Sequence, residues 1–244
     1  LAIRTLEVDG RLAASGEELE PLQLDASLAT QIRQAMADGY RSCAIALLHS
    51  TSNPRHEQQL AAWVRQLGLE QVVLSCELSC QPRLVSRCQT ALVEAAVAPV
   101  LFGYLDQVRQ ALGLDKGLRV MRSSGALAAP GMLHAKDTIL SGPAGGMVGA
   151  VASARDALAA MGQADGPVVG VDMGGTSTDV FYAESTAQGA AWERRADTEI
   201  LGLRIQAPML PIHTVAAGGG SVVSFDGERL VVGPVSAGAD PGPA

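Results

Sequence analysis

The 244 residues carry 18 Lys and Arg against 25 Asp and Glu, a formal net charge of −7, with 48% hydrophobic and 18% charged residues. That acidic balance, with the basic residues scattered, disfavours a nucleic-acid partner, and the apolar fraction suffices for a packed core and excludes disorder over most of the length. No run approaches the ~18–20 apolar residues of a membrane span, no signal peptide is visible, and the length fits one large or two modest domains.

In chain order, Leu1 to Asp9 alternates and ends in the turn signal Asp9-Gly10. Asp25 is placed to cap a helix from Ala26 to Asp38, with Leu28, Ile32, Ala35 and Met36 on one stripe and Gly39 as its stop. Ala44 to Leu48 reads as a buried strand, Asn53-Pro54 opens a helix that runs to about Leu67, and Gln71 to Ser75 reads as a further strand. Strand, helix, strand is the rhythm of an α/β layer. From Arg83 to Leu112 an apolar stripe (Leu84, Cys88, Leu92, Ala96, Leu101, Leu105, Val108, Leu112) predicts one long helix, which Pro99 should kink or split.

A second lobe is predicted to follow. It has a strand at Leu118–Arg122, a helix at about Pro143–Met161, and strands near Val168–Val171, Thr178–Tyr182, Val215 and Val222–Phe225. Asp226-Gly227 is a hairpin signal leading into Leu230–Val232. The first residue is Leu, and the chain stops at Asp240-Pro241-Gly242-Pro243-Ala244, so it reads as a segment of a longer protein.

Cys76 and Cys80, with Cys88 eight residues later, invite a zinc reading, but no His lies at the short spacings of structural zinc sites. With Cys43 they read better as reduced, packed thiols in a cytoplasmic setting.

The most informative stretch is Val168-Val-Gly-Val-Asp172-Met-Gly174-Gly175-Thr176-Ser177-Thr178-Asp179. A buried strand delivers the Asp172 carboxylate at its end, and two glycines let the backbone turn so that amide N–H groups face an anion. Thr176, Ser177 and Thr178 add hydroxyls. Such a turn can cradle a phosphate while Asp172 holds Mg2+ through water. An ordinary Gly-Gly hairpin with solvated aspartates is the competing reading.

Ser141 to Ala150, with Gly145 and Gly146, opens a small-residue helix whose N-terminus suits an anion or, equally, permits close packing. Gly218-Gly219-Gly220-Ser221 removes side chains where a nucleotide or another backbone comes close. His213 is a candidate substrate or metal contact, although a lone His beside a strand is more often a hydrogen-bonded structural group. His49-Ser50 and Asn53 to Glu57 form a polar cluster that reads most simply as a strand end and a helix cap.

Taken together, Leu48-His49-Ser50, Asn53-Pro54, His56-Glu57, Leu140 to Gly146, Gly170 to Val180, Ala217 to Ser221 and Val232 to Ala244 resemble the hydantoinase A/5-oxoprolinase family. The resemblance covers nearly the whole chain in the expected order. It implies an α/β, actin-like and sugar-kinase-like (ribonuclease H-like) ATPase fold, partial here, in two lobes. Residues 1–82 would be the later part of the N-terminal domain, and residues 83–244 the opening part of the hydantoinase A domain.

It further implies ATP-dependent opening of a cyclic amide, 5-oxoproline or a hydantoin, by phosphorylation of the amide oxygen. ATP and Mg2+ would be the cofactors and a hydantoinase B-like subunit or domain the partner, in an oligomer. Asp172 and Asp179 are then the candidate catalytic carboxylates. Gly174, Gly175, Thr176, Ser177, Gly145, Gly146, Gly218, Gly219, Gly220 and Ser221 are the candidate nucleotide contacts, and Asp172 and His213 the candidate metal contacts. The family also contains ATP-dependent ketone carboxylases, and a nucleotide-binding module without chemistry is a further alternative. Three positions depart from its pattern: Cys76 stands for His, Glu94 for Asn and Ser124 for Asn.

Overall fold

The computed structural model describes residues 2–113, 117–186, 189–191, 194–200, 202–238 and 242. Part of the closing run from Val232 to Ala244 therefore lies outside the described residues. The elements, in order, are β1 (Arg11–Leu12), β2 (Glu18–Glu20), α1 (Ala26–Ala37), β3 (Ser42–Ile45), α2 (Arg55–Gln66), β4 (Gln71–Leu74), α3 (Ser75–Leu78) and α4 (Leu84–Ala111). There follow β5 (Val120–Met121), β6 (Leu127–Ala128), two 3-10 turns (Pro130–Met132 and Ala135–Thr138), α5 (Ser141–Ala160), β7 (Val168–Met173), β8 (Thr178–Thr186) and β9 (Gly189–Ala191). The last are β10 (Thr198–Ile200), β11 (Leu203–Ile205), β12 (Ile212–Val215), β13 (Ser221–Phe225) and β14 (Leu230–Ser236).

The chain divides into two compact units, the first Leu1–Val120, Ala128–Ile139 and Ala196–Ala207, the second Met121–Leu127, Leu140–Arg195 and Pro208–Ala244. In the first unit, α1 starts where Asp25 accepts the Leu28 N–H at 2.8 Å, a side-chain cap worth about 1 kcal/mol. β3 and β4 pair in parallel, Ser42 opposite Gln71 and Ile45 opposite Leu74, with α2 as the crossover. Leu28, Ile32, Ile45, Leu60, Val64, Val72 and Leu74 form the core beneath them.

Two expectations are corrected here. The strand expected over Ala44–Leu48 lies instead at Ser42–Ile45, because the backbone of Leu47 is diverted to side chains. Its N–H donates to Glu57 at 2.8 Å and its carbonyl accepts from Arg87 at 2.9 Å. The chain then turns through His49 at φ 60, a left-handed conformation uncommon for a residue with a Cβ. The second correction concerns only the split allowed for at Pro99: α4 is the one long helix expected, 28 residues with Pro99 inside it. Pro99 itself is exposed, and it deprives the carbonyl one turn earlier, that of the buried Ala95, of its helical donor.

The apolar stripe described only one side of α4. The helix also buries Arg87, Thr90 and Glu94, each hydrogen-bonded to a segment distant in sequence. Contrary to the composition-based reading, α4 is long and apolar enough to cross a membrane, the one such helix among the described residues. Those buried polar anchors are what a core helix needs and what lipid does not supply.

In the second unit β7, β8 and β12 form an antiparallel sheet, β8 central and β9 paired to its far end. One face packs on α5 through Ala144, Met147, Val151, Phe181, Ala183 and Leu210. β13 and β14 form a separate hairpin closed at Asp226-Gly227, where Asp226 accepts the Glu228 and Arg229 N–H groups at 2.9 Å. Gly170 lies directly opposite Phe181, and a Cβ there would sit 1.9 Å from the ring Cζ. Gly170→Ala is therefore expected to cost about 1–3 kcal/mol through overpacking. Chemical denaturation of this variant, and of Gly170→Ala/Phe181→Leu as a partial rescue, checks it.

Candidate functional site: a glycine turn between two strands

The Gly-Gly turn joins β7 to β8, with Met173 opposite Thr178 and the Gly174 N–H donating to the Ser177 carbonyl at 2.9 Å. Gly174, Gly175 and Thr176 are exposed. Among the described residues the amides of Gly175, Thr176 and Ser177 donate to nothing, and the Thr176 and Ser177 hydroxyls have no partner. The turn therefore offers a run of unsatisfied donors, which is what an anion cradle requires.

Cross-strand register places the acidic pair. Asp172 stands directly opposite Asp179, and Asp179 directly opposite Thr214, whose hydroxyl donates to it at 2.6 Å. Directly opposed residues share a sheet face, so both carboxylates and the Thr214 hydroxyl lie on one side. That side is the one covered by α5, since a Cβ on Gly146 would come 3.2 Å from Asp172 Oδ2. Like charges placed opposite each other repel, and a cation relieves the repulsion. No group of three or more His, Cys, Asp or Glu side chains that could hold a metal exists among the described residues. The two carboxylates on one face fit Mg2+ held through its own water, with Asp172 and Asp179 at the two ends of the turn.

His213 does not join this site. It is opposite Val180, one residue out of phase with Asp179, and so projects from the other face of the sheet. Its neighbours on that face are the exposed side chains of Val169, Val171, Met173, Tyr182 and Val215.

Gly145 and Gly146 lie one turn inside α5, where their amides belong to the helix ladder, so the unused N–H groups at its start are those of Ser141 and Gly142. What Gly146 contributes is room beside Asp172. The entry to the helix is held by Ser123, 1% exposed, whose hydroxyl accepts the Leu140 N–H at 3.0 Å and whose carbonyl accepts from Leu210. The glycines at 218–220 sit against the turn itself: Gly219 N–H donates to Gly174 O at 2.9 Å and Gly220 N–H to Gly175 O at 2.7 Å. Ser221 closes the loop by accepting the Gly218 N–H at 2.9 Å.

The polar stretch read as a strand end and a helix cap is in fact a buried cluster in the first unit, joined by Arg87. Glu57 and Arg87 are both fully buried. Glu57 accepts from Leu47 N–H, from Ser75 Oγ at 2.7 Å and from Cys76 N–H at 3.0 Å, and Arg87 donates to Ser50, Ser75 and the Leu47 carbonyl. The two charges stand 4.0 Å apart with the Ser75 hydroxyl bridging them. Burial first, then the Glu57 carboxylate, pushes the Cys76 thiol up to about 12, so this residue is a neutral group. His56, also buried, bonds Glu18 at 2.8 Å, and that bond holds the Glu18 carboxyl below its ordinary value.

Glu94 accepts the adjacent Ala135 and Lys136 N–H groups at 3.0 and 2.7 Å, one on each carboxylate oxygen. An Asn carboxamide has a single acceptor oxygen. The four cysteines are free thiols. The signal that could have exposed this cluster was the i, i+3, i+7 spacing of Arg87, Thr90 and Glu94 on one helix face.

The hydantoinase/oxoprolinase family model matches residues 87–244, and the model of that family's N-terminal region matches residues 1–68. The chain is 37% identical over 222 residues to 5-oxoprolinase of Saccharomyces cerevisiae, covering 90% of this chain and 17% of the relative. It is 35% identical over 246 residues to the caprolactamase subunit alpha of Pseudomonas jessenii, covering 97% of this chain and 33% of the relative. The crystal structure of that organism's ATP-dependent caprolactamase superposes with a TM-score of 0.74 at 33% identity, over 97% of this chain and 34% of the other. Nucleotide-free acetone carboxylase superposes with a TM-score of 0.72 at 25% identity, over 94% and 32%. The fold is thus the expected α/β, actin-like one, and the chain spans between about a sixth and a third of the length of these relatives. Two consecutive family models and a shared fold together establish that the chain belongs to the hydantoinase/oxoprolinase family.

Proposed function

We propose that this chain is the nucleotide-gripping segment of an ATP-dependent hydrolase that opens a cyclic amide of the 5-oxoproline, hydantoin or lactam class. The observation that carries the reading is the turn at 174–177, whose Gly175, Thr176 and Ser177 amides are unsatisfied beside an exposed carboxylate. Bound Mg2+ would neutralise charge on the transferring phosphoryl group, with Asp172 holding it through water. The turn amides and the Thr176 and Ser177 hydroxyls would hold phosphate oxygens, and Asp179, tied to Thr214, would keep Asp172 company on the same face. Phosphorylating the amide oxygen converts a stable ring into one that water opens.

A name ending in "subunit alpha" among the relatives supports a second, hydantoinase B-like subunit or domain as the partner, in an oligomeric enzyme. Free thiols suit a cytoplasmic setting, with the residue-82 boundary separating the N-terminal domain from the hydantoinase A domain. Acetone carboxylase keeps the ketone-carboxylating alternative in view, but the greater identity to caprolactamase, 33% against 25%, favours the cyclic amide.

The test is ATP turnover by the complete protein with its partner. We expect at least about tenfold stimulation by one of 5-oxoproline, hydantoin or caprolactam. Stimulation only by bicarbonate with a ketone would move the assignment to the carboxylases, and none by either would leave a binding module.

A further inference from the structure

We propose that the glycine loop 218–220 acts on the phosphate turn and not on the nucleotide, as a backbone clamp that aims the Gly175 and Thr176 amides at the phosphates. The inference rests on the phosphate-binding reading above and gives that site its positioning residues.

The peptide bonds here are trans, the cis bond of the described residues being Gly233–Pro234. In a trans peptide the carbonyl of one residue and the N–H of the next point to opposite sides. Gly219 N–H holds the Gly174 carbonyl at 2.9 Å, so the Gly175 N–H is turned away from the loop. Gly220 N–H holds the Gly175 carbonyl at 2.7 Å, so the Thr176 N–H is turned away as well. Two successive amides, presented outward and with no acceptor among the described residues, make a concave anion seat.

The clamp is itself braced. Gly220 O accepts the Ala237 N–H at 2.7 Å and the Ser236 hydroxyl at 3.1 Å, and the Thr178 hydroxyl donates to Ala217 O at 2.6 Å.

Close approach, not backbone conformation, explains the glycines, because none of the three has a positive φ. A Cβ on Gly218 would lie 2.5 Å from Gly174 O and 2.8 Å from Ser177 N, and one on Gly220 would lie 2.9 Å from Gly175 O. A Cβ on Gly219 meets nothing nearer than 3.8 Å. The amides of Gly219 and Gly220 are consumed by the turn and are not available to a phosphate.

Three variants of the complete protein decide the matter, read by hydrogen–deuterium exchange without nucleotide and by calorimetric titration with Mg-ATP. Gly218→Ala should speed exchange across 216–222 and 173–178 and weaken Mg-ATP at least about tenfold, with exchange in α1, β3 and β4 unaltered. Gly219→Ala should weaken binding far less than Gly218→Ala does. Thr178→Val keeps the side-chain shape and removes one brace, so it should speed exchange across 216–222 and give an intermediate loss even if Gly218→Ala fails to fold.

Equal losses for Gly218→Ala and Gly219→Ala would show that the loop touches the nucleotide directly and overturn the clamp. Unchanged exchange in both Gly218→Ala and Thr178→Val would overturn it too. Absence of Mg-ATP binding by the unaltered protein would defeat the phosphate reading, while the exchange experiment would still judge the clamp.

Discussion

Asp172→Ala in the complete enzyme is expected to reduce ATP turnover by about a thousandfold, some 4 kcal/mol in the barrier at about 1.36 kcal/mol per decade. The carboxylate is exposed, takes no protein hydrogen bond, and faces a second carboxylate across the β7–β8 ladder. Removing it costs the fold nothing and relieves a like-charge contact, so the melting temperature should hold within about 2 °C or rise slightly. Asp172→Asn should retain more activity than Ala, because a carboxamide oxygen still accepts from a metal-bound water. Steady-state turnover with a responsive cyclic amide, beside a thermal melt, supplies both readouts. Full activity in the alanine variant would remove the metal role from this residue.

The second large effect is on stability. Arg87→Met should cost the protein about 3–5 kcal/mol, the usual penalty for stranding one member of a buried charge pair. Arg87 spans Ser50, Ser75 and the Leu47 carbonyl, while Glu57 draws together Leu47, Ser75 and Cys76. Losing the guanidinium leaves a buried carboxylate without its counter-charge and frees the loop that follows β3. With urea slopes of about 1–3 kcal/mol per molar, the midpoint should fall by at least about 1 M. Replacing both members, Glu57→Gln with Arg87→Met, should cost less than the single change, since no charge is stranded. A single variant within about 1 kcal/mol of the parent would show that the serine hydroxyls and backbone alone hold this region.

How much of this was legible from residues alone depends on whether the cause was local. The Asp25 cap, the turn after Met173 and the Asp226-Gly227 hairpin each rest on neighbours within a few positions, and each was readable. Arg87, Thr90 and Glu94 were hidden because counting apolar positions along α4 passes over polar residues whose partners are 37, 116 and 42 positions away. Leu47 was misread for the same reason: hydrophobicity marked it as strand, while Glu57 and Arg87 had claimed its backbone. His213 was a candidate contact set against the commoner structural role, and the face it occupies follows from pairing β12 with β8, which no local pattern specifies. The triplet 218–220 announced a close approach correctly, but not that the approaching group is the turn itself.

The Phe181 ring lying over Gly170 has one more consequence. Neither position is free to drift by itself: a lineage acquiring any side chain at 170 must first, or simultaneously, shrink the aromatic across the ladder. Aligned descendants should therefore change these two sites in tandem, an inherited correlation that tallying the family's sequences would reveal without purifying anything.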